Sequence, residues 1–392
     1  MITATVVLDI GNSQTRGIVL CGKDKGGKFR EKSFVLSNRF SKVSEDYEPS
    51  TDYTSDNSTI FIADCEVAGE KVEGAYVNGE IQEREFEAST IRPSAIQKKY
   101  DNKTTALSYE LAMLYAYKAV AELEGVKDIN SLDIVWNVGI LLPPGDMDKG
   151  KLKIVELVKN ITKIEATFPS VEIKLNVKTV NVMPEGFCAY IATVYDRGSV
   201  IRKGARDLLN ESTLIIDIGA GTTDIVVVRE NKLIGTTLKT INRGGNQVMQ
   251  KVRTSIETEC DDLVLPETAV EQGIVDGFVK DGARKVDITE FINAARREVA
   301  NQLTNDIRSY LERTEYPIRT IEKLLVCGGG AMGSDESKGI KSLSDLVLLY
   351  IRNVAPYVEL IDLPIDTKTG EVISSRELNV RGASIIAAAM PQ

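Results

Sequence analysis

The chain opens with an apolar run, VVLDIG (6–11), then a polar turn, NSQTR (12–16), then a second apolar run, GIVLCG (17–22). A charged turn, KDKGGK, and a third run, FREKSFVL (29–36), follow. Runs of this length bounded by Gly, Asn and Ser read as strands, so the pattern predicts an antiparallel meander. Residues 43–58 are polar and acidic and predict a surface loop. STIFIADCEV and AYVNGEI predict two further strands. Over 105–124, Leu107, Leu111, Leu114 and Ala119 recur at helical spacing and predict a helix with one buried face. DIVWNVGILLPPG predicts a strand entering a loop at Pro143, Pro144 and Gly145.

A second meander starts at residue 213 with TLIIDIG, AGTTD and IVVVRE. Asn231-Lys232 reads as a two-residue hairpin turn before a last strand, LIGTTLKTI. Gly244-Gly245 opens a helix, NQVMQKVRTSIE, and a long helix is expected over 287–313. Its packed side is marked by Phe291, Ala295, Val299, Leu303, Ile307 and Leu311. Shifting the sequence by 208 residues overlays LDIGNSQTRGIV (8–19) on IDIGAGTTDIVV (216–227), with Asp9 on Asp217, Gly11 on Gly219 and Thr15 on Thr223. One such match without a short repeat period is a duplication, not an array.

At 392 residues the chain exceeds the usual single-core limit, so two domains are expected. Histidine is absent, which excludes His general bases, Ser-His-Asp and Cys-His systems and His-ligated metals. The five cysteines are scattered with no CxxC pair, so they read as free thiols in a reducing, cytoplasmic setting. No window approaches about 18 uninterrupted apolar residues, and no membrane association is expected. The net charge of −9, without a dense Lys/Arg block, argues against direct nucleic-acid binding.

The candidate chemistry lies in the duplicated turns. After each DIG, small and hydroxylic residues (Asn12, Ser13, Gln14, Thr15; Ala220, Gly221, Thr222, Thr223) offer backbone amides and hydroxyls, the donors that phosphate oxygens need. Gly219 and Gly221 allow close backbone approach. Asp9 and Asp217, ending their strands, are candidates to hold Mg²⁺ through water, because Mg²⁺ prefers oxygen ligands and keeps several waters. A third glycine site, LLVCGGGAM, reads as a strand, a turn at Gly328, Gly329 and Gly330, and a helix, a place where a nucleotide can rest.

The order DIGNSQTRG (9–17), MPEGFCAY (183–190), DIGAGTTD (217–224), VCGGGA (326–331) and VRGASIIAAA (380–389) resembles the five-motif pattern of the actin-like ATPases. The motifs span nearly the whole chain, and DIGAGTTD is the most specific of them. The resemblance implies an α/β fold of actin-like, duplicated ribonuclease H-like type, with two domains and a nucleotide cleft between them. Domain I would cover 1–183 with the returning 376–392 and an outer part near 33–100. Domain II would cover 184–375 with an outer part near 246–313. Two crossing helices would begin near Glu185 and Gly382.

The same resemblance implies ATP, with GTP possible, and Mg²⁺ as cofactors. Gly11 to Thr15 and Gly219 to Thr223 would grip the β- and γ-phosphates, with Gly244 and Gly245 nearby. Gly328, Gly329 and Gly330 would face the α-phosphate and nucleoside. Glu185 would orient the attacking water and Asp217 would join it in catalysis. Some relatives carry GGxD after the second phosphate motif; here Gly244-Gly245 is followed by Asn246 and Gln247, so no metal contact is assigned there.

Among such ATPases, a peptide-binding chaperone is disfavoured because ten residues follow Gly382, zinc-dependent sugar kinases by the lack of His, and membrane-anchored filament proteins by the lack of an amphipathic tail. The remainder looks most like the ParM/Alp plasmid-segregation filament proteins: an ATPase that assembles with itself and reaches DNA through an adaptor of ParR type. A small-molecule kinase with Asp133 or Asp146 as base, and a non-polymerising scaffold, remain alternatives.

Overall fold

The computed structural model describes residues 1–390 except 51, 55–56, 93–96, 261–262, 264 and 332–335. The chain divides into two compact units, Met1–Arg202 with Asn379–Gln392, and Lys203–Leu378. In the first, β1 (Ile2–Ile10), β2 (Gln14–Lys23) and β3 (Phe29–Ser37) form the expected meander. Then come β4 (Ser41–Val43), β5 (Ser58–Val67), β6 (Glu70–Gly79), the short α1 (Glu80–Glu85) and the long α2 (Lys103–Glu124). β7 (Ile134–Leu142), α3 (Met147–Asn160), β8 (Lys163–Phe168), β9 (Ser170–Lys174) and β10 (Asn176–Pro184) follow. The run ends with α4 (Phe187–Val194) and a small hairpin of β11 (Tyr195–Asp196) and β12 (Val200–Ile201).

These strands make a sheet of order β10-β7-β1-β2-β3 and a second sheet of order β4-β6-β5-β8-β9. The second sheet therefore draws two of its strands, β8 and β9, from beyond the 33–100 stretch. Of the expected surface loop at 43–58, residues 51 and 55–56 lie outside the described residues; the last residue, Ser58, already belongs to β5.

The second unit repeats the plan. β13 (Thr213–Ile218) pairs antiparallel with β14 (Thr223–Arg229), which continues into β15 (Lys232–Leu233) and pairs with β16 (Lys239–Ile241). The hairpin turn sits one residue earlier than expected. Arg229 pairs with Lys232, so the loop is Glu230 and Asn231, both at positive φ, the backbone a two-residue type I′ turn requires. The expected last strand is also broken. Thr237 lies in a short turn, and its hydroxyl accepts from the Val227 amide at 3.0 Å in place of a ladder bond.

Beyond β16 come α5 (Gly245–Glu259), α6 (Glu267–Asp276), the hairpin β17 (Phe278–Asp281) and β18 (Arg284–Asp287), and α7 (Thr289–Leu311). β19 (Lys323–Cys327), α8 (Leu343–Arg352) and β20 (Glu359–Leu360) complete the unit. α9 (Leu378–Ala389) then returns to the first unit, beginning four residues before Gly382. On α7 the packed side is Ala295, Val299, Leu303, Ile307 and Leu311 as expected, with Phe291 half-buried against the same core and Ile292 buried beside it.

Packing explains why β1 reads as an unbroken apolar run. Ala4, Val6 and Leu8 sit in a core with α2 residues such as Leu107, Leu111 and Leu114, whereas Val7 sits with Cys188, Val380 and Ala383 on the other face. A strand buried on both faces has no polar alternation. α2 touches strands of both sheets in its unit, so almost every position from Thr104 to Ala121 is buried, not one stripe. It is capped by Asn102, whose side chain accepts from the Thr104 amide at 3.0 Å, and stopped by Gly125 at φ 69°. Glu110 lies inside this helix, 2% exposed. Burial pushes its carboxyl up to about 8, opposed by a hydrogen bond from the Cys65 thiol and reinforced by the charge of Asp64.

α4 and α9 cross at close range. A Cβ on Gly382 would lie 1.7 Å from the Cys188 carbonyl oxygen, so the crossing admits only glycine there. The Asn379 side chain accepts from the Gly186 amide at 2.9 Å, tying the start of α9 to the start of α4.

Candidate functional site

Each unit carries a strand–turn–strand element at the C-terminal end of a central strand, and the two are built alike. In the first, the Gly11 amide donates to the Gln14 carbonyl at 3.0 Å; in the second, Gly219 donates to Thr222 at 2.8 Å. The pairing registers also correspond: Ile10 opposite Thr15, and Ile218 opposite Thr223. β1 lies parallel to β7 on its other side, as β13 does to β19.

Thr15 and Thr223 are fully buried. Their hydroxyls face inward and donate, Thr15 to Asn38 Oδ1 at 2.8 Å and Thr223 to the Arg243 carbonyl at 2.6 Å. Asn38 in turn donates to the Gly11 carbonyl and, through its amide, to the Ser13 carbonyl at 3.0 Å. These two threonines hold the turns in shape from within. The turn residues proper, Gly11 to Gln14 and Gly219 to Thr222, are half-buried or exposed. Among the described residues, the amides of Asn12 and Ser13, and those of Ala220 and Gly221, have no protein acceptor. Consecutive unpaired amides in a tight turn form an anion-binding concavity.

Asp9, Arg16, Lys99 and Glu185 gather beside the first turn. Glu185 sits between β10 and α4, 9% exposed, with its amide donating to the Leu142 carbonyl at 2.9 Å. Lys99 Nζ reaches its Oε1 at 2.5 Å. Burial and the Glu185 charge push the Asp9 carboxyl up to about 6, against the pull of Lys99 and Arg16. Cys188 is fully buried here, and burial together with the Glu185 and Asp9 charges pushes its thiol well above the usual range. It is an inert packing residue.

In the second unit the glycine turn after β19 is pressed against the DIG turn. Gly328 has φ +91°, and a Cβ there would lie 2.2 Å from Asp217 Oδ1 and 2.4 Å from the Ile218 carbonyl oxygen; one on Gly330 would lie 2.2 Å from the Gly219 carbonyl oxygen. Gly329 lies near the Arg376 side chain. Gly329–Ala331 is a single short turn, the helix expected directly after it falls on residues 332–335, which lie outside the described residues, and the next α-helix among the described residues is α8, capped by Ser342. Gly245 and Asn246, opening α5, donate to the carbonyls of Gly219 at 3.0 Å and Ala220 at 2.7 Å. The first amides of α5 therefore serve the turn. Asp217 is buried at the base of this arrangement.

Sequence reasoning did not single out Asn38, Lys99, Arg243 or Asn379. None lies in a motif: Asn38, Lys99 and Arg243 sit in connections and Asn379 in the first turn of α9, and only the fold brings them to their partners. The two alternative bases lie in different settings. Asp133 is exposed at the far end of the sheet, where its carbonyl accepts from the Ile2 amide. Asp146 is buried and paired with Lys98 at 2.7 Å.

Residues 215–336 match the family model of the archaeal actin homologue MreB-like, C-terminal domain. No curated protein matches the sequence. Solved structures similar over nearly the whole chain include the actin-like protein Alp7A (14% identity, 99% of this chain and 96% of that chain, TM-score 0.66). A 15-stranded ParM filament from Clostridium botulinum matches with 16% identity, 99% of both chains and a TM-score of 0.62. Bacillus thuringiensis ParM with ATP matches with 16% identity, 99% and 98% coverage and a TM-score of 0.59. Over its full length the chain therefore has the fold of the actin-like ParM and Alp7A structures, and residues 215–336 resemble the archaeal actin homologue MreB-like, C-terminal domain.

Proposed function

We propose that the protein is a nucleoside triphosphatase, using ATP or GTP, whose hydrolysis drives turnover of a filament of its own copies. The observation that carries the reading is the pair of like-built turns, each closed by one glycine amide bond and each leaving two consecutive amides without a protein acceptor. That donor set fits phosphate oxygens. The solved relatives supply context: one is described with ATP and one as a filament.

In this reading the turns bind the phosphates of a nucleoside triphosphate. Asn12 to Gln14 and Ala220 to Thr222 grip the β- and γ-phosphates, with Thr15, Thr223, Gly244 and Gly245 maintaining the turn shapes. Gly329 and Gly330 lie against the α-phosphate and nucleoside. Asp9 and Asp217 would hold Mg²⁺ through water. Asp9, whose carboxyl is pushed up to about 6 by burial and then by the Glu185 charge, is an oxygen ligand that a bound cation would keep ionised. The bound ligand supplies the reactive phosphoryl group, and Mg²⁺ supplies charge neutralisation. Glu185 orients water for attack and accepts its proton.

The nucleotide then acts as a timer. Triphosphate favours the assembling form, and hydrolysis weakens the lattice, because the two nucleotide states bind the two forms unequally. The biological task we assign is plasmid or phage DNA segregation in the cytoplasm, through an adaptor of ParR type, with neither direct nucleic-acid contact nor membrane attachment.

Phosphate release measured against protein concentration tests this. The specific hydrolysis rate should rise above a critical concentration without any added substrate. A rate that is independent of concentration but stimulated by a sugar or acid acceptor would replace the filament with a kinase.

A further inference from the structure

Lys99 is a charged neighbour of the first turn that the reading above leaves without a task. It is carried on a short turn, Lys99–Asp101, whose other residues are all anchored. Lys98 pairs with the buried Asp146 at 2.7 Å, and Lys153 with Asp101 at 2.8 Å. Tyr100 packs where a Cβ on Gly150 would stand 2.3 Å from its ring, and Asn102 caps α2. A turn held at each residue fixes where the lysine stem begins. From there the ammonium reaches Glu185 Oε1 at 2.5 Å, with the two side chains only 16% and 12% exposed.

At that burial the pair is weakly screened, and removing one partner leaves the other charged and unmatched. Glu185 also lies within reach of the Asp9 charge. Without a cation, two carboxylates would repel each other and Glu185 would be free to choose another rotamer. A water-orienting group that moves by about 1 Å loses much of its effect.

We propose that Lys99 is the positioning residue of Glu185: its ammonium holds Oε1, fixes the carboxylate's rotamer, offsets the repulsion from Asp9 and leaves Oε2 to accept from the attacking water. The inference rests on the triphosphatase reading. Its test is steady-state phosphate release by the full chain with saturating Mg-ATP or Mg-GTP, alongside affinity for a fluorescent ADP analogue. The variants are Lys99→Met, Lys99→Arg, Glu185→Gln and the double variant Lys99→Met/Glu185→Gln.

Lys99→Met should lower kcat by about tenfold or more while changing the analogue's Kd by less than about threefold. Lys99→Arg should recover most of the rate, because it restores a cation at the carboxylate. The double variant should be no slower than Glu185→Gln, since both changes act on one group. A wild-type rate in Lys99→Met overturns the assignment. So do losses that multiply in the double variant, or an equal loss of kcat and nucleotide affinity that arginine does not rescue. A wild-type chain that hydrolyses neither triphosphate sinks the triphosphatase reading itself, an outcome distinct from failure at Lys99 alone.

Discussion

Replacing Glu110 by Gln should stabilise the first unit at neutral pH. The carboxyl is buried on α2 beside Cys65 and titrates at about 8 in the folded chain, against 4.5 when unperturbed. Below about pH 4.5 it is neutral in both folded and unfolded chains and contributes nothing to the pH dependence. Above that, the unfolded chain loses a proton that the folded chain keeps. Stability therefore falls as pH rises, by about 1.4 kcal/mol per pH unit, until the folded group ionises near pH 8. Between pH 4.5 and pH 7 the loss comes to about 3 kcal/mol. Gln preserves the shape and the bond from the Cys65 thiol but never ionises, so it removes most of that loss. For a unit of this size the gain corresponds to a rise in Tm of roughly 5–10 °C. The single tryptophan, Trp136, lies fully buried in the same core and reports this unit's unfolding by fluorescence. Urea titrations of wild type and Glu110→Gln from pH 5 to pH 8 should show a gap near zero at pH 5 that widens toward pH 8. A gap that does not change with pH, or a variant less stable at pH 7, would refute the reasoning.

Other substitutions address the turns. Gly328→Ala places a methyl 2.2 Å from Asp217 Oδ1 at a φ of +91°; it should cost roughly 2–4 kcal/mol in a thermal melt and abolish binding of a fluorescent nucleotide. Thr223→Val removes the donor to the Arg243 carbonyl and should cost about 1–2 kcal/mol. Thr15→Val should do the same through Asn38, and both should weaken nucleotide binding through the turn shape, seen as a raised KM with kcat little changed. Gly382→Val should prevent soluble expression, because its side chain meets the Cys188 carbonyl in the α4–α9 crossing.

The duplicated turns were legible because a glycine amide bond, a strand register and a buried threonine each demand a residue type at a fixed spacing, and 208 residues later the chain meets the same demands. The helices over 103–124 and 289–311 were legible from apolar spacing, although periodicity alone did not reveal that α2 is covered on all sides. Local turn chemistry misled where two readings were one residue apart: Glu230 takes a left-handed conformation that its residue type disfavours, so the hairpin loop was expected at Asn231-Lys232. The polar partners Asn38 and Lys99 could not be read at all. Their roles depend on contacts 23 and 86 residues away in sequence, to Thr15 and Glu185, which no local pattern encodes. The hydroxyls of Thr15 and Thr223 carried a further lesson. A hydroxylic turn suggests outward donors, yet these two side chains are spent inside.

The most direct test of the central claim is light scattering with pelleting after addition of Mg-ATP, Mg-GTP or Mg-ADP to wild type and to Glu185→Ala. The account predicts assembly above a critical concentration with triphosphate but not with diphosphate, decay of the wild-type signal as triphosphate is consumed, and persistence in the variant. Nucleotide binding with no pelleting at any concentration, or a variant whose polymer decays as fast as wild type, would contradict it.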